Sequence, residues 1–211
     1  MKVILTGSNG TLGQEMSQLL KQNSIPFLRV KCRYKDINNI SKRLLDMDIH
    51  SIIHLGAKKN NISTNYANGY QEDLYNENVV SSILLAKIAL TKDVPFVFTS
   101  TADLFPRIGL PSDEASTISA TKENITGGFY GWSKYLAEIE IKKLPVKYII
   151  FRSSTIYQHL NPQLFTFARY LNDVESLLGF HFSSDQYLLN LIRADYLCKS
   201  ILNILFSTNH N

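Results

Sequence analysis

Three features of the chain predict an α/β domain with a doubly wound parallel sheet and a small C-terminal cap. Its first apolar run, Lys2–Leu5, passes directly into glycines at 7, 10 and 13 that open an amphipathic segment. Beyond it, short β-rich runs alternate with helical patterns, the rhythm of right-handed βαβ units. After Arg152 the rhythm gives way to loops and short helical stretches, which places a soft boundary near residue 153.

Strands are predicted at Lys2–Leu5, Pro26–Cys32, Ser51–Leu55, Pro95–Thr99 and Lys147–Phe151. Their apolar residues run on without strict alternation, as in strands covered on both faces. The helical segments between them are Thr11–Lys21, a short Ile40–Leu45, a long Leu74–Leu90 and Tyr130–Lys142. In the long one, Val79, Ile83, Ala86 and Leu90 recur at helical spacing. In the C-terminal part Gln163–Leu171 and Tyr196–Leu205 are the clearest helices, and no repeat, low-complexity tract or Pro/Gly-rich linker divides the chain.

A chain of 211 residues is long enough to bury one full core. With 45% hydrophobic and 19% charged residues it reads as an ordinary globular protein and not a disordered one. The formal charge of +4 comes without a dense Lys/Arg tract, so an anionic small molecule is the expected partner and nucleic acid is not. Cys32 and Cys198 are the only cysteines, with no CxxC spacing, which argues against a disulfide framework or structural zinc and for a reducing cytoplasm. No apolar stretch of about 18 residues suggests a membrane span, and the opening run is too short for a secretion signal. His50 and His54 flank one predicted strand and the other three histidines are scattered, so no metal site is expected; His54 reads as a packed strand-end residue.

The glycine spacing carries the first chemistry. Gly7 suits a tight turn, Gly10 lets backbone approach a diphosphate, and Gly13 lets helix and strand pack closely, while the helix N-terminus supplies amide donors. Such a cradle makes the expected fold Rossmann-like and the expected cofactor NAD or NADP. Where an acidic residue would accept ribose hydroxyls near the end of the second strand, the chain has Lys31 and Arg33; cations there suit a 2′-phosphate and favour NADP. Asp36 and Ile37 follow, at a place to edge the adenine.

The second chemistry lies at Tyr130 and Lys134. Of the 11 tyrosines only Tyr130 is followed four residues on by a lysine, and one helical turn puts the two on the same face. An ammonium near a phenol favours the phenolate, so Tyr130 becomes a usable general acid/base. Thr99-Ser100-Thr101 closes the fourth predicted strand, at the edge where ligands sit in open parallel sheets, and offers hydroxyls to a substrate oxygen.

Taken together these segments resemble the extended short-chain dehydrogenase/reductases, the NAD-dependent epimerase/dehydratase group that modifies nucleotide-activated sugars. The likeness runs from Met1 to about Leu205. Thr6–Gly13 resembles its TGxxGxxG, Asp36-Ile37 its adenine-edge Asp, His54-Leu55-Gly56-Ala57 its HLAA turn, and Asn78-Val79 its helix Asn-Val. Phe98–Phe105 is similar to its FSSSxxVY segment, Phe129–Lys134 to its YGxSK signature, Arg152–Tyr157 to its Rxxxx-(V/I)-Y, and Leu191–Asp195 to its late strand and Asp.

The resemblance implies Thr101, Tyr130 and Lys134 as catalytic residues. For the cofactor it implies Gly7, Asn9, Gly10, Thr11, Leu12, Gly13, Lys31, Arg33, Asp36, Ile37, Leu55, Gly56, Ala57, Lys59, Asn78, Thr99, Tyr130, Lys134 and Ser153. Substrate contacts are implied at Thr101, Ala102, Asp103 and Thr155. It also implies a homodimer through the Leu74–Leu90 and Tyr130–Lys142 helices. A dehydratase is disfavoured, because Thr101-Ala102-Asp103 stands where dehydratases carry Thr-Asp-Glu. Ser153, Ser154 and Thr155 replace bulkier or amide groups common in the group, which leaves the substrate open. Family members continue well past the late Asp, so the expected organisation is an NAD(P)-binding domain at 1–152 and a shortened substrate lobe at 153–211. Phe165, Phe167, Tyr170, Phe180 and Phe182 suit either a sugar or base pocket or core filling.

The expected activity is therefore hydride transfer to or from a nucleotide-activated sugar or a related small carbonyl or hydroxyl compound, as a 4-ketoreductase or an epimerase. The competing reading is a catalytically inactive NAD(P)-binding sensor or assembly subunit on the same fold.

Overall fold

The computed structural model describes residues 1–59, 70–105, 116, 118, 128–157 and 191–206. Gln163–Leu171 and the five aromatic residues between Phe165 and Phe182 lie outside the described residues.

Strand β1 (Lys2–Thr6) runs into helix α1 (Thr11–Gln22), followed by β2 (Phe27–Val30), α2 (Ile37–Leu45) and β3 (Ile49–His54). Helix α3 (Tyr70–Tyr75), a π-helical turn (Asn76–Val80) and α4 (Ser81–Thr91) lead to β4 (Phe96–Thr101). Helix α5 (Gly128–Lys142) precedes β5 (Tyr148–Ser153), and β6 (Thr155–Tyr157), β7 (Leu191–Arg193) and α6 (Ala194–Phe206) complete the described elements. The five strands β1–β5 form one parallel sheet in the order β2-β1-β3-β4-β5, and β6 pairs in parallel with β7. The chain winds to one side of β1 and then to the other, so the sheet is doubly wound, with its switch point between the carboxyl ends of β1 and β3. Ligand crevices of open parallel sheets form there.

Period-2 alternation sorts the buried strand residues into two layers. Ile4, Ile52, Phe96 and Phe98 face a core with Ile40, Leu44, Leu85, Ile88, Ala137 and Ile141 of α2, α4 and α5. Val3, Leu5, Ile53 and Val97 face the other core, filled by Leu12, Met16 and Leu20 of α1 and Leu197, Cys198 and Ile201 of α6. Each fully buried side chain of this size contributes about 1.5–3 kcal/mol. Helix α6 thus belongs to the second layer, packed on α1, with the Cys198 thiol reaching the Leu12 carbonyl at 3.5 Å.

Three local expectations are corrected. Strands β1, β3 and β4 are covered on both faces, but β2 and β5 lie at the sheet edges among the described residues and stay half-exposed. Helix α2 starts at Ile37, three residues before the predicted start, which places Ile37, Ile40 and Leu44 at i, i+3 and i+7 on its buried side. The predicted single helix Leu74–Leu90 is divided by the π-helical turn, which re-aims the side chains of residues 76–80. Among the described residues no helix is long and apolar enough to cross a membrane.

Candidate active site

A cleft of about 880 Å³ crosses the carboxyl ends of the strands. Its walls are the glycine turn Thr6–Gly13, the basic tip Arg29–Arg33, the loop His54–Lys59 and the β4 end Thr99–Thr101. Glu77, Tyr130, Lys134, Ser153, Ser154 and Ile156 close it. This volume suits a dinucleotide-sized ligand better than a metal ion or a single small anion.

At the switch point the chain itself demands two of the three glycines. Gly7 sits at φ +71°, and a Cβ there would meet the Gly56 backbone nitrogen at 2.4 Å. At Gly13 it would meet the Gly7 carbonyl oxygen at 2.1 Å. Gly10 is different: a Cβ would meet only the Gly7 oxygen at an ordinary 3.5 Å, so bareness there serves the cleft and not the fold. Gly10 also gives α1 an N-cap without a side chain, and the first-turn residues Thr11, Leu12 and Gly13 line the cleft. That is the arrangement in which helix N-termini receive phosphate oxygens.

The opposite wall comes from β4 and α5. Lys134 is only 2% exposed, and its Nζ lies 4.0 Å from the centroid of the Phe98 ring. Burial pulls its pKa down to about 7, against the upward pull of the Glu138 carboxylate one turn further on. Glu138 is fully buried and gripped by Arg152, whose Nη2 stands 2.8 Å from Oε2 and whose Nε stands 3.1 Å from Oε1; Lys142 approaches Oε2 at 3.5 Å. Tyr130 opens the same helix and is held by its backbone: its carbonyl accepts the Ser133 hydroxyl at 2.7 Å.

The hydroxyls of Thr99 and Ser100 are buried with no hydrogen-bond partner among the described residues. A buried orphan hydroxyl costs about 1–3 kcal/mol, which a ligand in the cleft can recover by bonding it. Thr101 pairs in register with Ser153 on β5, so both border the cleft from adjacent strands. The bare Gly10, the uncapped helix start and these orphan hydroxyls fit a diphosphate-bearing cofactor with polar groups at its far end.

The cleft brings together most of the residues expected from the sequence: Gly7, Asn9, Gly10, Thr11, Leu12, Gly13, Lys31, Arg33, Leu55, Gly56, Ala57, Lys59, Thr99, Thr101, Tyr130, Lys134 and Ser153. It does not bring in Asp36, which is exposed in a 3-10 turn, nor Ile37, which α2 rolls into the core at 3% exposure. Ala102 does not line it either. Asn78 is fully buried behind the wall: its amide donates to the Lys58 carbonyl at 2.9 Å and to Ser133 Oγ at 2.9 Å, and accepts the Lys58 N–H at 2.7 Å. Asn78 therefore clamps the cleft loop to the tyrosine helix instead of touching its contents. The side chains of Asp103 and Thr155 lie outside the described residues.

Arg29, Lys58, Glu77, Ser154 and Ile156 also border the cleft and were not picked out from sequence as contacts, while Ser100 borders it as the hydroxyl run Thr99-Ser100-Thr101 suggested. Arg29 had a signal: it precedes Lys31 and Arg33 at a spacing of two, and all three line the cleft, Arg29 from β2 and the other two from the segment just past its end at Val30.

A parallel sheet of this order, a glycine turn at its switch point and a Tyr-Lys helix beside one cleft define a Rossmann-like domain of the short-chain dehydrogenase/reductase type. Residues 1–187 match the family described as RmlD substrate binding domain, and the chain belongs to that family. No curated sequence matches the chain significantly. Among solved structures, a dTDP-4-dehydrorhamnose reductase from Clostridium acetobutylicum superposes with a TM-score of 0.75 at 21% identity, over 100% of this chain and 72% of that one. The dTDP-4-dehydrorhamnose reductase of Bacillus anthracis in complex with NADP gives 0.72 at 21% identity, over 97% of this chain and 71% of that one. MoeE5 in complex with UDP-glucose and NAD gives 0.71 at 14% identity, over 100% of this chain and 74% of that one.

Proposed function

We propose that this chain is an NAD(P)H-dependent oxidoreductase that reduces a nucleotide-activated 4-keto sugar. The observation that carries the reading is that Tyr130, Lys134 and the orphan hydroxyls of Thr99 and Ser100 border the same cleft as the glycine turn. Family membership and the two dTDP-4-dehydrorhamnose reductases of like fold support the substrate class.

The glycine-turn amides and the α1 N-terminus would hold the diphosphate, Lys59 would neutralise it, and Arg29, Lys31 and Arg33 would receive a 2′-phosphate. When bound, the reduced nicotinamide supplies a hydride for the carbonyl carbon. Tyr130 gives its phenolic proton to the carbonyl oxygen as that oxygen becomes a hydroxyl, and Thr101 steadies the same oxygen with a hydrogen bond. Lys134, as ammonium, stabilises the phenolate left on Tyr130 and offers donors to ribose hydroxyls. An epimerase would use the same groups in both directions and show no net consumption of cofactor.

Mixing the purified chain with NADPH or NADH and a panel of nucleotide 4-keto sugars tests the reading through loss of reduced-nicotinamide absorbance. NADPH is expected to be used in preference to NADH, and Arg33→Glu to lower NADPH affinity by roughly tenfold, the worth of one charge-assisted contact, while sparing NADH. Tight binding of cofactor with turnover on no sugar would instead establish a sensor or assembly subunit.

We further propose a homodimer through the outer faces of α4 and α5. Half-exposed Ile83 and Leu84 on α4, and Trp132, Tyr135, Leu136 and Ile139 on α5, leave an apolar surface beyond what the core uses. Sedimentation of the full chain should give twice the monomer mass, and Leu136→Glu should halve it; a wild-type monomer at micromolar concentration overturns the interface.

A further inference from the structure

His54 takes no part in the steps above, yet its imidazole is bonded on both sides. Nδ1 meets the Thr6 hydroxyl at 2.5 Å and Nε2 meets the Ser82 hydroxyl at 2.9 Å. Ser82 must donate its own proton to the Asn78 carbonyl at 2.6 Å, so it accepts from His54, and Nε2 carries the hydrogen. Nδ1 is then a bare lone pair that accepts from Thr6. Beyond Asn78 the direction is equally fixed. Both faces of the Asn78 amide are set by the Lys58 backbone, its nitrogen donates to Ser133, and Ser133 donates to the Tyr130 carbonyl.

These bonds join the two working halves of the cleft. Thr6 is the root of the glycine turn, and its carbonyl accepts the Leu55 N–H at 3.3 Å, while Gly7 packs against Gly56. Tyr130 and Lys134 start the far wall. We propose that His54 is a positioning residue, a fixed neutral tautomer that sets the spacing between the glycine turn and the tyrosine helix through Ser82, Asn78 and Ser133. The inference takes only its activity readout from the oxidoreductase reading.

A neutral ring is also what the neighbourhood requires. His54 lies 5.9 Å, centroid to centroid, from Phe98, the ring that carries Lys134 Nζ at 4.0 Å, and a second cation there would repel the lysine. Burial, and then the Lys134 charge, hold the imidazole pKa down to about 3. The ring cannot serve as a proton switch under ordinary conditions; it serves as a spacer with one donor and one acceptor.

The test uses the full chain labelled with ¹⁵N at histidine. The His54 ring should show a protonated Nε2 and an unprotonated Nδ1, unchanged from about pH 8 to about pH 5, where ordinary histidines titrate. In parallel, His54→Phe keeps an aromatic ring, slightly larger, and removes both bonds. It is expected to lower kcat/KM of the folded protein by roughly 10- to 100-fold, the scale of a small misplacement of reacting groups. His54→Gln restores a donor toward Ser82 and should recover part of that loss; it also carries the test should the Phe variant fail to fold. A protonated Nδ1, titration within that range, or wild-type kcat/KM in a folded variant lacking both bonds would overturn the proposal. Wild-type protein that binds neither nicotinamide nucleotide would sink the oxidoreductase reading instead, and the imidazole spectrum would still decide the role of His54.

Discussion

Tyr130→Phe is expected to lower kcat by roughly two to four orders of magnitude, the usual worth of one positioned proton donor, with nucleotide affinity unchanged. The substitution removes a single oxygen. Helix α5 is anchored at this point by the Tyr130 carbonyl, through Ser133 and Asn78, and those bonds survive the substitution, so the wall of the cleft stays in place. Lys134, buried by its own packing over Phe98, keeps its position as well. Equilibrium binding of NADPH and single-turnover reduction of a 4-keto sugar separate the two effects. A Phe variant that turns over like the wild type would remove Tyr130 from the chemistry and leave only a nucleotide-binding fold.

What could be read in the sequence was set by covalent spacing. Glycines at 7, 10 and 13 after an apolar run specify a turn whose geometry follows from the missing side chains, and Tyr130 and Lys134 share a helix face because 3.6 residues make a turn. Strand and helix alternation likewise fixes a parallel sheet, and the strand order then brings β1, β3 and β4 to one rim. What escaped depends on contacts distant in sequence. Asn78 resembles a cofactor ligand by its place in the order of motifs, but the π-helical turn points it at the Lys58 backbone and Ser133. The local sign was a run of weak helix formers, Asn76, Asn78, Val79 and Val80, inside a helical pattern. Asp36 and Ile37 missed the cleft because α2 begins at once and takes Ile37 inward. The pairing of Glu138 with Arg152 joins α5 to β5 across 14 residues, and no local pattern announces it.

Lys134→Met is expected to abolish turnover and, in the same molecule, raise the stability of the fold. A lysine normally titrates near 10.5, and this one is held at about 7, chiefly by burial. Below neutral pH the folded chain must keep a charge in a place that resists it, and the difference, at 1.36 kcal/mol per pH unit, is of the order of 5 kcal/mol. Methionine has nearly the same length, fills the space over Phe98 and carries no charge. Part of the gain is offset, because the cation–π contact with Phe98 and the attraction to Glu138 are lost; Arg152 and Lys142 still neutralise that carboxylate. The pH dependence identifies the cause. Between about 7 and 10.5 the unfolded chain holds a proton at Lys134 that the folded chain has released, so wild-type stability rises with pH across that window. The gap to the Met variant is therefore widest at and below pH 7 and closes toward 10.5. Denaturant melts of both proteins across that range measure it. A Met variant less stable than wild type at neutral pH would mean that the buried ammonium supports the fold, and the case for a strained lysine kept for chemistry would fall.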